Sequence, residues 1–270
     1  PFHRFQPRDT MSWFEHRGVA LKIEADGRVF PVSDSSETII DALLQAAKEV
    51  GILWKFGVKV SVLDKIKEGF WVASAQEGWH ADKVLVATGG SPAFFALLKR
   101  LGHTIVELVP SLFTFNIPSS PFLDLTGISL EKVVVSLPLF HQKQRGPLLF
   151  THWGLSGPAV LKLSSWAARE LYAAKYTTLV ELDFVPDSTQ EEVLALFQQN
   201  QEIFPQKTLS SQPLFGLPKQ LWKRLCGSIQ EMPWRQLSWK EKLGLVERLK
   251  KTFLQVEGKT TYKQEFVTAG

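Results

Sequence analysis

The pattern of apolar and polar positions changes character twice along this chain. In the first third, Asp9 or Thr10 can cap a short helix through Trp13, Phe14 and Arg17, with Gly18 ending it. Residues 19–23 and 28–32 flank Ala25-Asp26-Gly27, a hairpin signal. After Ser36, Ile39, Ile40, Leu43, Leu44 and Ala47 recur on one helical face, with Gly51 just past its end. Strand-like runs follow at 52–56 and 58–62, at 70–75 and at 84–87. Four successive apolar residues, Val84 to Ala87, predict a strand buried on both faces, as in a parallel sheet. The run breaks at Thr88-Gly89-Gly90-Ser91-Pro92, and a helix over 93–101 follows, stopped by Gly102.

Strand, glycine turn and helix start form a geometry that cradles phosphate, because backbone N–H groups and the helix dipole favour negative charge. The same pattern serves as an ordinary strand-to-helix connection, and the stretch alone leaves both readings open.

Beyond residue 103 the runs shorten. Residues 104–108, 113–117, 132–137, 148–151 and 176–184 predict short strands separated by Pro and Gly, the pattern of a small barrel or sandwich. From Asp187 the period turns helical. Ser188 opens a helix with Val193, Leu194 and Phe197, and Leu217-Pro218 opens another. Ser238-Trp239-Lys240-Glu241 is a capping box ahead of Leu243, Val246, Leu249 and Phe253. Gly258 closes this unit, and residues 264–268 read as a strand returning to the first domain.

Composition narrows the function classes. Of 270 residues, 44% are hydrophobic and 21% charged, which suits a globular protein with ample core. No apolar run of about eighteen residues predicts a membrane span, and the first eight residues lack a signal-peptide core. Cys226 is the single cysteine, so neither an internal disulfide nor a cysteine-rich metal site arises. The expectation is a cytoplasmic protein with no membrane partner. His3, His16, His80, His103 and His141 show no metal-ligand spacing, so no metal is expected. The net charge is +4. Between Leu217 and Lys251, nine basic residues stand against three acidic ones, with Trp222, Trp234 and Trp239 among them. That mixture fits either an RNA-binding face or a solvated helix face over a Trp-containing core.

No Gly-x-Gly-x-x-Gly fingerprint of a dinucleotide domain occurs. Even so, Gly27-Arg28-Val29-Phe30-Pro31-Val32, the Ala-Thr-Gly-Gly turn, Thr151-His152-Trp153-Gly154-Leu155-Ser156-Gly157-Pro158 and the terminal Phe266-Val267-Thr268-Ala269-Gly270 occur in a familiar order. Together they resemble the bacterial FAD-dependent oxidoreductases labelled NAD(FAD)-utilising dehydrogenases or aminoacetone-oxidase-like flavoproteins. The resemblance implies that the chain corresponds to the central portion of such a flavoprotein, lacking both ends and the N-terminal FAD fingerprint.

It further implies an α/β fold: a partial FAD-binding domain of the glutathione-reductase type (1–104 and 259–270), interrupted by a β-barrel-like insert (105–186) and a helical insert (187–258). Val60 corresponds to a strand position beside the adenine, and Thr88, Gly89 and Gly90 to the turn lying against FAD. Arg28 corresponds to a cation facing flavin or substrate, with a surface arginine as the alternative. In the 151–158 block, Ser156 and Gly157 precede a helix start that offers N–H groups to a developing charge. His152 is the one side chain there able to exchange a proton near neutral pH, as a catalytic acid or as a purely structural histidine. The implied function is FAD-dependent two-electron transfer, with NAD(P)H as candidate donor and an amine, an enone or an RNA uridine as substrate. A chain acting without catalysis, as a fragment or a nucleic-acid-binding module through the basic helices, is the alternative.

Overall fold

A computed structural model describes residues 3–24, 27–260 and 267–269. The chain divides into two compact units, residues 1–85 and 86–270.

The first unit begins with α1 (Pro7–Glu15). Proline pre-sets the helical φ at the first position, which places the start two residues before the expected cap, and the Gln6 N–H donates to Asp9 Oδ2 at 2.7 Å. The hairpin forms between β1 (Leu21–Ile23) and β2 (Val29–Pro31), with Leu21 opposite Pro31. Ala25 and Asp26 of its predicted turn lie outside the described residues. Helix α2 (Ser36–Glu49) is capped by the Ser35 hydroxyl, which accepts from the Glu37 N–H at 3.3 Å. A meander of β3 (Val62–Lys65), β4 (Phe70–Ala73) and β5 (Gly78–Ala81) completes the unit.

Two expected strands do not form here. Residues 52–61 are irregular and mostly exposed, with the Trp54 and Phe56 rings stacked at 5.7 Å. Residues 84–87, the expected doubly buried strand, are also irregular, and Leu85 is 92% exposed. An apolar run becomes a buried strand only when neighbours satisfy its backbone and cover both faces. Among the described residues no strand pairs with it.

The second unit opens with α3 (Pro92–Arg100), as expected. Residues 104–108 are irregular, and the strand lies just beyond as β6 (Val109–Ser111), followed by β7 (Thr114–Asn116). Next come β8 (Ser129–Leu137), β9 (Gln142–Thr151), β10 (Gly154–Ser156), α4 (Pro158–Trp166), α5 (Ala168–Ala173) and β11 (Thr178–Asp183). Three further helices are α6 (Gln190–Ile203), α7 (Lys219–Cys226) and α8 (Trp239–Lys250), and the chain then runs through β12 (Thr252–Val256), β13 (Gly258–Thr260) and β14 (Val267–Ala269). Of the predicted strand at 264–268, residues 264–266 lie outside the described residues; its last two residues open β14, which pairs with β6.

Strand order is β12-β11-β8-β9-β10-β7-β13, antiparallel throughout. The two ends of that order are successive pieces of one extended segment: residues 252–256 pair with β11, Glu257 N–H donates to Asn116 O at 2.9 Å, and 258–260 pair with β7. The sheet therefore closes into a barrel, which removes its edges. Closure also corrects the helical reading of the tail. Phe253 is on β12 rather than on α8, and strand pairing resumes before the expected boundary at 258, because α8 ends at Lys250 and the next residues complete the barrel.

The barrel core holds Phe115, Val133, Leu137, Leu148 and Phe150, with Ala159, Val160 and Leu163 of α4 packed into it. The same cluster continues into the helices through Phe197, Trp222, Trp234 and Leu245.

Candidate functional site

The glycine turn is shaped by its own backbone. Gly89 has φ +60°, a left-handed conformation that glycine adopts without a Cβ penalty. The Ser91 N–H donates to Gly89 O at 2.9 Å, and the Ser91 hydroxyl caps α3 by accepting from the Phe94 N–H at 3.4 Å. Thr88, Gly89 and Gly90 are exposed. A Cβ on Gly89 would meet nothing within 4 Å; one on Gly90 would come 3.2 Å from Leu108 Cδ1 and 3.6 Å from Thr268 Oγ1. The turn thus presents open backbone beside β14, whose Thr268 stands opposite Pro110 of β6.

This is the feature that sequence reasoning missed. Thr268 was visible as part of a motif, but its place beside the turn depends on strand pairing across more than 150 residues. Val60 lies in the first unit, half-buried, where the next residue's N–H donates to Ala73 O at 2.9 Å. Arg28 is exposed, with its guanidinium 5.4 Å from the Phe30 ring centre.

The 151–158 block forms the β9–β10 hairpin and the entry to α4. Its glycines are required by packing within the barrel. A Cβ on Gly154 would fall 2.2 Å from Phe115 O, and one on Gly157, at φ +95°, would fall 2.9 Å from both Pro147 O and Leu149 N. Ala159 and Val160, in the first turn of α4, are fully buried, and Ser156 is half-buried on β10 beside Leu149. His152 sits exposed at the hairpin tip, edge-on to Trp153 with ring centres 4.0 Å apart. The Trp153 carbonyl accepts from the Ile117 N–H at 2.7 Å, which anchors the tip to the barrel.

Tertiary structure sorts the basic helices. Arg248 donates to the carbonyls of Leu225 and Cys226, at the end of α7. Lys250 donates to Val185 O at 3.0 Å and Ser188 O at 2.8 Å and pairs with Asp183 at 2.7 Å; Lys242 is buried. Trp222 and Trp234 are core residues, the former donating to Leu209 O at 2.7 Å, whereas Trp239 is exposed. Burial pushes the Cys226 thiol up to about 12, which leaves it protonated and unreactive at neutral pH.

Among the described residues no group of His, Cys, Asp and Glu is placed to hold a metal ion. None of the helices described is long and apolar enough to cross a membrane.

The family model for the HI0933-like protein barrel and H2TH domain matches residues 109–267. The chain is 26% identical over 276 residues to the 3-dehydro-bile acid delta(4,6)-reductase of Clostridium scindens, covering 97% of this chain and 67% of that protein. It is also 26% identical over 284 residues to the ribosomal RNA dihydrouridine synthase of Escherichia coli, covering 99% and 67%. The Haemophilus influenzae dihydrouridine synthase is 26% identical over 236 residues, 81% of this chain and 55% of that protein. The chain spans about two thirds of the length of the first two relatives.

Proposed function

The chain belongs to the HI0933-like protein barrel and H2TH domain family, and from that premise we propose that it works as an FAD-dependent oxidoreductase reducing a conjugated carbon–carbon double bond. The names of its relatives, a delta(4,6)-reductase and a dihydrouridine synthase, both fit the addition of hydrogen to such a bond. The observation that carries the reading is the open Thr88-Gly89-Gly90 turn beside Thr268. It fits a cofactor lying on bare backbone, since a side chain at Gly90 would project toward Thr268 and into that space.

Bound FAD would supply the hydride chemistry, with NAD(P)H as the donor that recharges it. Under this reading the cofactor domain is of the glutathione-reductase type. Thr88, Gly89 and Gly90 would hold the pyrophosphate and ribose side of FAD, with the Thr268 hydroxyl as a further hydrogen-bonding group. Ser156 and Gly157 would border the reacting end, and His152, exposed on an anchored hairpin tip, would be the side chain able to give a proton to the substrate.

The test is FAD uptake by the protein expressed from its complete gene, read as visible flavin absorbance retained after desalting. The wild type is expected to retain FAD. Gly90→Val is expected to weaken uptake about tenfold or more, equivalent to about 1.4 kcal/mol, beyond the fall in unfolding midpoint that displacing Leu108 Cδ1, 3.2 Å from the added Cβ, brings about. Absence of flavin in the wild type, or undiminished uptake by Gly90→Val, overturns the reading and favours a non-catalytic binding module.

A further inference from the structure

We propose that a groove along the outer face of α7, running from Gln230 past Lys223 and Arg224 to Lys251 and Phe253, binds single-stranded RNA. As a surface for the substrate it rests on the oxidoreductase reading; as an RNA-binding surface it can be tested separately.

The helix that forms the wall has two faces. Leu221, Trp222, Leu225 and Cys226 are core, while Gln220, Lys223, Arg224 and Gly227, at helical spacing, line a cleft of about 470 Å³ together with Asp124, Leu125 and Gln230. Arg224 also lines a second cleft of about 360 Å³, with Phe122, Glu247, Arg248, Lys251 and Phe253. Arg224 lines both clefts, so they adjoin at that side chain, and its ion pair with Asp124 holds it in place. Arg248 is fixed from the other side by its bonds to the last carbonyls of α7.

The chemistry along the groove is graded. Lys223 and Lys251 have no ion-pair partner among the described residues, so their charge is available to phosphates. Gln220 and Gln230 each bring an amide that both donates and accepts, the equipment for reading a base edge. At the other end Phe253 is 51% exposed, on a strand where its neighbours Leu254 and Val256 are buried.

An exposed ring beside cations is a stacking platform for a base, and only an unpaired, unstacked base can reach it. An acidic peptide would use the lysines but leave the ring and the amides idle. Two relatives act on ribosomal RNA by name, which makes RNA the nucleic acid to test.

The experiment is fluorescence anisotropy with a labelled, uridine-containing single-stranded RNA, a duplex of the same length and a polyglutamate chain, over a series of salt concentrations. The protein is expressed from its complete gene. Single-stranded RNA is expected to bind most tightly and to weaken as salt rises. A Lys223→Glu/Lys251→Glu variant is expected to lose about tenfold or more in affinity, and its log K against log salt slope is expected to fall by about two. Phe253→Ala is expected to lose about fivefold or more with the slope unchanged, because stacking releases no counterions. Both variants should keep the wild-type unfolding midpoint and FAD uptake.

No RNA binding by the wild type, unchanged binding by the charge-reversed variant, a duplex or polyglutamate binding as tightly as the single strand, or indifference to Phe253→Ala each overturns the proposal. Flavin retained with RNA binding absent sinks the groove alone. Flavin absent with RNA binding intact sinks the oxidoreductase reading and leaves the groove standing.

Discussion

Residues 1–85 and 86–270 use apolar side chains in opposite ways. In the first unit Val19, Ala47 and Leu63 are the buried hydrophobes among the described residues, while Leu53 is 90% exposed and Phe56 80%. In the second unit one continuous cluster runs from the barrel through α4 into the helices. Helices α2 and α7 show the contrast at close range. Both are amphipathic, yet Ile40 and Leu43 of α2 are each 50% exposed, whereas Leu221 and Trp222 of α7 are fully buried. A periodic apolar stripe states a capacity for burial; a second surface must be present to fill it.

The comparison breaks first at Trp222. Trp222→Ala removes a fully buried side chain and its bond to Leu209 O, and is expected to cost about 3–5 kcal/mol in urea unfolding. Leu43→Ala on α2 is expected to change stability by no more than about 0.5–1 kcal/mol, since half of the residue is already exposed. Equal costs would mean that the first unit has a core of the same kind.

Next come the glycines. Gly154→Ala drives a methyl group into Phe115 O and is expected to cost at least about 1–3 kcal/mol. Gly89→Ala meets open space and pays only for its left-handed φ, about 1 kcal/mol, so the two thermal unfolding shifts should differ visibly.

A smaller effect comes from the capping box of α8. Ser238→Ala is expected to cost about 1 kcal/mol. The Ser238 hydroxyl and N–H, which donate to Glu241, hold its carboxyl below the usual range. A depressed folded-state pKa contributes stability above the unfolded pKa, and that contribution fades as pH falls through the folded value. The carboxylate is open to solvent, so the effect is modest. It should appear as a gap between wild type and Ser238→Ala that is wider at neutral pH than at acid pH, measured by thermal unfolding.

The last expectation changes reactivity without changing stability. Cys226 should resist thiol reagents at neutral pH in the folded protein and react once the helices are unfolded, read by labelling during a urea titration. Labelling of the native protein would show that α7 opens readily.

Parts of this architecture were legible because they are local. The hairpin of β1 and β2, the face of α2, the α3 start at Pro92 and the Ser238–Glu241 box all rest on residues within a few positions of one another. Of the candidate site, the glycine turn and the 151–158 block were visible as motifs. What their glycines are for was not, since Gly154 and Gly157 are dictated by backbone that approaches across the barrel, while Gly89 meets nothing.

By itself the sequence determined the hairpin strands, the α2 face, the α3 start and the Ser238–Glu241 capping box, the absence of a cysteine framework and a charge excess between Leu217 and Lys251. Tertiary structure alone decided that 252–260 is the strand that closes the barrel, that 84–87 is no strand at all, that Thr268 stands beside Gly90, and which cations remain available once Arg248 and Lys250 are bound to carbonyls. The reason is one of range. Propensity and capping act through neighbouring residues, whereas strand closure and burial depend on surfaces brought together from distant parts of the chain.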